Sequence, residues 1–271
     1  MNNQGLVRAL NALRPYLGHI VISGAWAWYV YRHYLGRPLE HTAVFTRDLD
    51  CVTPTRLPLM EGVGLLESLE TADFVWVPKG SDNPPAAVFV WPRPRAAEVE
   101  VEFLAPARGS GTSRVVSIQP NITAQALRDL DILLEDPMVV ELDERSVEAG
   151  GSSFQGAVRV PRLAHFSIQK ALIFPRRQAE DQAKDLAYVF DLIDSTNKLA
   201  DQLLGDVVRA HASGHHKEVQ RFREVVRREF GSPAFVKKVV AQIPPERRPL
   251  SAYVDREVAG WLARLAAALG D

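Results

Sequence analysis

The 271-residue chain is 46% hydrophobic and 24% charged, with 32 Lys plus Arg against 33 Asp plus Glu. That composition fits a globular chain of one large or two modest domains, and its balanced charge excludes polyanion binding by net charge, so any basic surface must be local. No apolar run is long enough to cross a bilayer; the single cysteine, Cys51, excludes an intrachain disulfide, and Met1-Asn2-Asn3-Gln4-Gly5 lacks the basic flank and apolar stretch of a secretory signal, so a cytoplasmic protein is expected.

Residues 5–17 read as an amphipathic helix, and His19-Ile20-Val21-Ile22 as a short apolar strand. Ser23-Gly24 breaks that strand, and an aromatic-rich helix follows from Ala25 to Tyr34. A strand runs from Thr42 to Val52. Further strands are expected at 73–77 and 87–91, separated by a Gly/Ser/Asp/Asn/Pro loop at 80–85. Glu98-Val99-Glu100-Val101-Glu102-Phe103-Leu104 alternates acids with apolar residues and ends in a Pro/Gly/Ser loop at 106–113. The pattern then predicts a helix over 123–135 and a strand over 138–142.

Gly150-Gly151-Ser152-Ser153 is a linker candidate. Beyond it come a strand at 157–160 and helices at 162–174, 177–194, 196–212, 215–230, 233–242 and 251–269. The expected fold is therefore α/β: a mixed sheet with flanking helices over 1–150, then an all-helical lobe over 151–271 that completes a cleft.

The most informative segment is Thr46-Arg47-Asp48-Leu49-Asp50-Cys51-Val52. Strand side chains alternate faces, so Asp48 and Asp50 point one way and Leu49 the other. Two neighbouring carboxylates repel each other and resist burial. A divalent cation removes the conflict, and hard oxygen ligands suit Mg²⁺ or Mn²⁺; the plain alternative is a pair of solvated surface acids. Upstream, a strand that breaks at Ser23-Gly24 and opens into a helix presents backbone N–H groups that attract phosphate, with Ser23 able to cap the helix, although such turns also serve local geometry alone. Downstream, Glu98, Glu100 and Glu102 share one face by the period of two. A third carboxylate beside Asp48 and Asp50 would complete a two-metal site. Glu98 reads as solvent-facing; Glu102 is favoured over Glu100 because Val101 and Phe103-Leu104 bracket it with core residues.

In this order the parts resemble the DNA polymerase β-like nucleotidyltransferases: Ile22-Ser23-Gly24-Ala25, then Asp48-Leu49-Asp50, then Val101-Glu102-Phe103. The second half carries Pro161-Arg162-Leu163-Ala164-His165-Phe166-Ser167-Ile168-Gln169-Lys170-Ala171-Leu172, then Arg176-Arg177 and Lys184-Asp185-Leu186. That run is similar to the helical motif of the AbiEii and MenT-type toxin nucleotidyltransferases. The resemblance covers residues 5–195. It departs from the family pattern in its Ser-Gly-Ala turn, in a Glu where the third acid is often Asp, and in a long Gly24-to-Asp48 stretch that an insertion around Arg37-Pro38 explains.

The resemblance implies transfer of a nucleoside monophosphate from an NTP to an acceptor hydroxyl of tRNA, protein or a small molecule, with pyrophosphate released. It also implies a toxin of a toxin–antitoxin pair, hence an antitoxin partner. Asp48, Asp50 and Glu102 would hold Mg²⁺ or Mn²⁺; Ser23, Gly24 and Ala25 would hold the β- and γ-phosphates; Lys170 would assist as a point charge, with Asp185 beside it. Without the resemblance, Lys170 snorkels to water from an apolar helix and Asp185 pairs with Arg177 or Lys184. The alternative to an enzyme is a non-catalytic nucleotide- or RNA-binding module on the same fold.

Between His215 and Arg248 stand Lys217, Arg221, Arg223, Arg227, Arg228, Lys237, Lys238, Arg247 and Arg248. This run could track an RNA backbone, but glutamates interleaved at i,i+3 and i,i+4 favour a solvated helix face. His211, His215 and His216 read as surface residues.

Overall fold

The computed structural model describes residues 4–36, 48–60, 62–80, 85–91, 99–109, 114–143, 148–149 and 152–270. Residues 42–47 of the expected strand, the insertion around Arg37-Pro38, most of the 80–85 loop, the end of the 106–113 loop, Glu98 and Gly150-Gly151 lie outside them. The chain forms two compact units: Met1–Tyr34 with Leu39–Pro161, and Leu35–Pro38 with Arg162–Asp271.

The first unit opens with α1 (Gln4–Ala12), whose Leu6, Val7, Ala9 and Leu10 are buried while Asn11 faces out. The helix expected to 17 stops early because Pro15 cannot continue it, and Arg14–Tyr16 is a 3₁₀ turn. There follow β1 (Val21–Ile22), α2 (Gly24–Val30) with a π-helical turn over Tyr31–Leu35, β2 (Asp48–Val52), α3 (Leu65–Thr71), β3 (Val75–Lys79), β4 (Ala86–Trp91), β5 (Val99–Pro106), β6 (Val115–Gln119) and β7 (Ile122–Leu127).

These seven strands make one mixed sheet in the order β1-β2-β5-β4-β3, with β7 paired to β5 and β6 to β7. The central strand is β5. It runs parallel to β2 and β7 and antiparallel to β4. The period of two sorts its side chains. Val101 and Phe103 join Leu49, Cys51 and Phe89 in a core face that is at most 1% exposed. There Phe89 and Phe103 stack edge to face at 5.9 Å. Helix α1 covers this face so closely that a Cβ on Gly5 would lie 2.1 Å from Cγ2 of Val99. The acids are thereby left on the opposite face.

The helix expected over 123–135 is instead β7 followed by a single turn, α4 (Asp131–Leu134). Its residues favour helix by propensity, but Ile122 and Ala124 bury on alternation and both edges of the backbone find partners, β6 and β5. Pairing across the sheet overrides local preference. Asn121, at φ +64°, makes the tight turn between β6 and β7, a conformation asparagine tolerates. The unit ends with β8 (Met138–Leu142), β9 (Glu148–Ala149), β10 (Ser152–Ser153) and β11 (Gly156–Val160). β8 pairs with β11, and Ser152-Ser153 of the linker candidate pair with β9.

The second unit is helical: α5 (Leu163–Ile173), α6 (Ala179–Ile193), α7 (Leu199–Ala212), α8 (His216–Phe230), α9 (Pro233–Gln242) and α10 (Ser251–Leu269). The helices expected after residue 160 are all present, within a few residues at each end. α5 packs against α6, α7 and α8 and is buried from Leu163 to Ala171. Among the described residues no helix is long and apolar enough to cross a membrane.

Candidate active site

The parallel pairing of β2 with β5 sets Asp48 opposite Glu100 and Asp50 opposite Glu102. With Leu49, Cys51 and Val101 held in the core, all four carboxylates must share the other face. Oxygens of Asp48, Glu100 and Glu102 lie within 4.8 Å of one another. A single third carboxylate, Glu102, was favoured beside both aspartates; in the structure each glutamate is level with one of them, because the register matches two strands of the same period residue for residue.

Asp50 takes a different direction. Its Oδ2 stands where a Cβ on Gly24 would fall, 2.1 Å from that position, and Gly24 has φ +61°. Glycine is therefore required at position 24 twice, by the backbone and by the carboxylate. The Ser23 N–H donates to the Asp50 carbonyl at 2.8 Å, which fixes the Ser23-Gly24-Ala25 turn to the acidic strand. Ser23 does occupy the N-cap position of α2, but its side chain makes no capping bond.

The neighbourhood holds one cation that sequence reasoning missed. Lys79, at the end of β3, forms an ion pair with Glu102. Lys79 stands opposite Ala86 on β4, and Val88 of β4 stands opposite Glu102, so the lysine arm crosses one strand of short side chains. Glu102 is 7% exposed. Nothing local marks Lys79 in the sequence; only the order of three strands brings it to the acid. Cys51, fully buried behind Asp50, has its thiol pushed up by burial and then by the Asp50 charge, so it stays protonated and inert.

These donors fit a hard divalent cation. Oxygens sharing an ion with bonds of about 2.1 Å stand roughly 3–4 Å apart, and the Asp48, Glu100 and Glu102 oxygens, within 4.8 Å of one another, come near that spacing.

In the helical unit Lys170 does not snorkel. It is 8% exposed, its Nζ lies 2.8 Å from Asp185 Oδ1 on α6, and it sits 5.4 Å from the Phe166 ring. The Arg177 Nε approaches Asp185 Oδ2 at 3.3 Å without hydrogen-bond geometry. Removing one member of a buried pair strands the other. Asp185→Asn is therefore expected to lower stability by about 3 kcal/mol, measured by urea unfolding. A loss below about 1 kcal/mol would mean that Lys170 reaches water on its own.

Of the C-terminal cations, those on α8 lie on its solvated side, and Arg247 is paired inward. On α8 Val219, Phe222, Val225, Val226 and Phe230 are buried, while Lys217, Arg227 and Arg228 are exposed. Arg221 lies 3.8 Å from Glu224, Arg228 is paired with Glu229, and Arg247 lies 2.7 Å from Asp191. His211 and His216 touch each other through ring nitrogens 3.0 Å apart.

With a mixed sheet carrying paired acids beside a small-residue turn, the comparison with known families is direct: a nucleotidyltransferase family model matches residues 3–212. The chain belongs to that nucleotidyltransferase family and is a transferase. Neither the curated proteins nor the solved structures contain a match to it.

Proposed function

We propose that the chain transfers a nucleoside monophosphate from an NTP to an acceptor hydroxyl, with Mg²⁺ or Mn²⁺ held by Asp48, Asp50 and Glu102. The observation that supports this reading most is the register of β2 against β5, which gathers the acids on one face beside the Ser23-Gly24 turn. When bound, the metal neutralises triphosphate charge and favours ionisation of the acceptor hydroxyl. Asp48 and Asp50 orient the NTP through that charge. The Ser23-Gly24-Ala25 turn offers backbone N–H groups to the β- and γ-phosphates. The acceptor oxygen bonds to the α-phosphorus, the α–β bridging bond breaks, and the acceptor's proton passes toward Glu102 as pyrophosphate departs. Positioning and charge account for most of such a rate enhancement. Lys170 as the triphosphate cation, oriented by Asp185, rests on the resemblance to the toxin enzymes. The same resemblance makes tRNA the first acceptor to try and an antitoxin the partner to seek.

The test is incubation of the purified chain with each α-labelled NTP, Mg²⁺ or Mn²⁺ and a cell extract, followed by separation of RNA from protein. Label is expected in the RNA fraction, with one pyrophosphate per nucleotide transferred. No label in any macromolecule, and no pyrophosphate with any NTP, would refute the proposal.

A further inference from the structure

We propose that Lys79 is the resident counter-ion of the acidic face: its ammonium holds Glu102 while no metal is bound and gives up that carboxylate when the metal enters. This rests on the metal-site reading above. The argument begins with the burial of Glu102, at 7% exposure, next to Asp48 and Glu100, whose oxygens lie within 4.8 Å of its own. Three carboxylates so close repel one another, and a neighbouring positive charge offsets that repulsion. In the structure Lys79 supplies that charge at Glu102.

The lysine is built to leave. Its side chain is 50% exposed, whereas that of Glu102 is 10% exposed. It comes from β3, the edge strand, every residue of which is exposed. A flexible four-carbon arm reaching over Ala86 and Val88 can withdraw to water at little cost. Lys170 is the opposite case, an ammonium enclosed with its carboxylate. An ammonium and a divalent cation held by the one carboxylate of Glu102 repel each other, so the metal weakens the hold of Lys79 on it. Metal binding therefore competes with the ion pair, and the cation freed by that exchange stands beside the site where a triphosphate would bring negative charge.

The experiment compares wild type, Lys79→Met and Lys79→Arg by Mn²⁺ titration, followed by the paramagnetic resonance of free Mn²⁺, and by thermal melting with and without Mn²⁺. Lys79→Met is expected to bind Mn²⁺ about five- to tenfold more tightly, since a competing cation has been removed. It should melt below wild type without metal, because Glu102 is left unneutralised, and the gap should close at saturating Mn²⁺. Lys79→Arg keeps the charge and should stay within about twofold of wild type in affinity. If wild type and Lys79→Arg bind Mn²⁺ but Lys79→Met binds no more tightly, the exchange is refuted and the metal site stands. If wild type binds no Mn²⁺, the metal-site reading and the exchange fall together.

Discussion

Asp48→Asn and Asp50→Asn are each expected to abolish nucleotide transfer while leaving the fold intact. The two residues stand on β2 in register with Glu100 and Glu102, so four carboxylates crowd one face of the sheet. Replacing one with an amide removes a proposed metal ligand and also removes a like charge from that crowd. Activity should fall to background, and the melting temperature without metal should be unchanged or higher. The measurement is transfer of labelled nucleotide alongside thermal melting of the metal-free protein. Transfer at the wild-type rate by either variant would show that the acids serve some other purpose. A lower melting temperature with activity lost would leave unfolding as the explanation, and Asp48 tests this best because it is exposed, whereas Asp50 packs against Gly24.

The second large effect separates the two glutamates. Both lie on the acidic face, about 6–7 Å apart along β5. Glu102 is buried and level with Asp50; Glu100 is half-buried and level with Asp48. Glu102→Gln is expected to cost at least about two orders of magnitude in transfer rate, the loss typical of a metal ligand or general base. Glu100→Gln should cost less than about tenfold if the metal takes Asp48, Asp50 and Glu102 as proposed, although the Glu100 oxygen stands in the same cluster. A double measurement of rate and Mn²⁺ affinity decides the matter. The reverse ranking would transfer the ligand role to Glu100. Equal, small effects would turn the face into a solvated surface and leave Asp48 and Asp50 without a third partner.

Much of the fold was legible because its signals are local. The helices after Pro161 repeat apolar residues every three or four positions, and Val219, Phe222, Val226 and Phe230 bury as that spacing demands. The acidic strand announced itself by alternation, and the Ser23-Gly24 break by its residue types. What stayed hidden depends on pairing. Leu65–Thr71 buries only Leu65 and Leu69, too few positions for a period to emerge. Ile122–Leu127 becomes a strand through partners that no local pattern reveals. Within the candidate site, the facing of Asp48 with Glu100 spans the intervening β3 and β4, so no neighbouring residue encodes it. Lys79 needs two such pairings in succession before it can meet Glu102. The enclosure of Lys170 was unreadable from its helix alone, since an apolar helix with one lysine ordinarily turns that residue to solvent; only the resemblance set Asp185 beside it.

The position of β5 in the sheet carries a further consequence. It has β2 along one edge, and β4 followed by β7 along the other, so its amides are bonded on both sides. Strands of that kind open last in hydrogen–deuterium exchange, and edge strands such as β3 open first. Glu100 and Glu102 are thus expected on the slowest-exchanging backbone of the sheet, and Lys79 on some of its fastest, which exchange followed residue by residue would check. Opening of the edge strand is expected to free the lysine while the strand that carries the acids stays paired. The frame that fixes the chemistry and the part that moves are separated by a single strand.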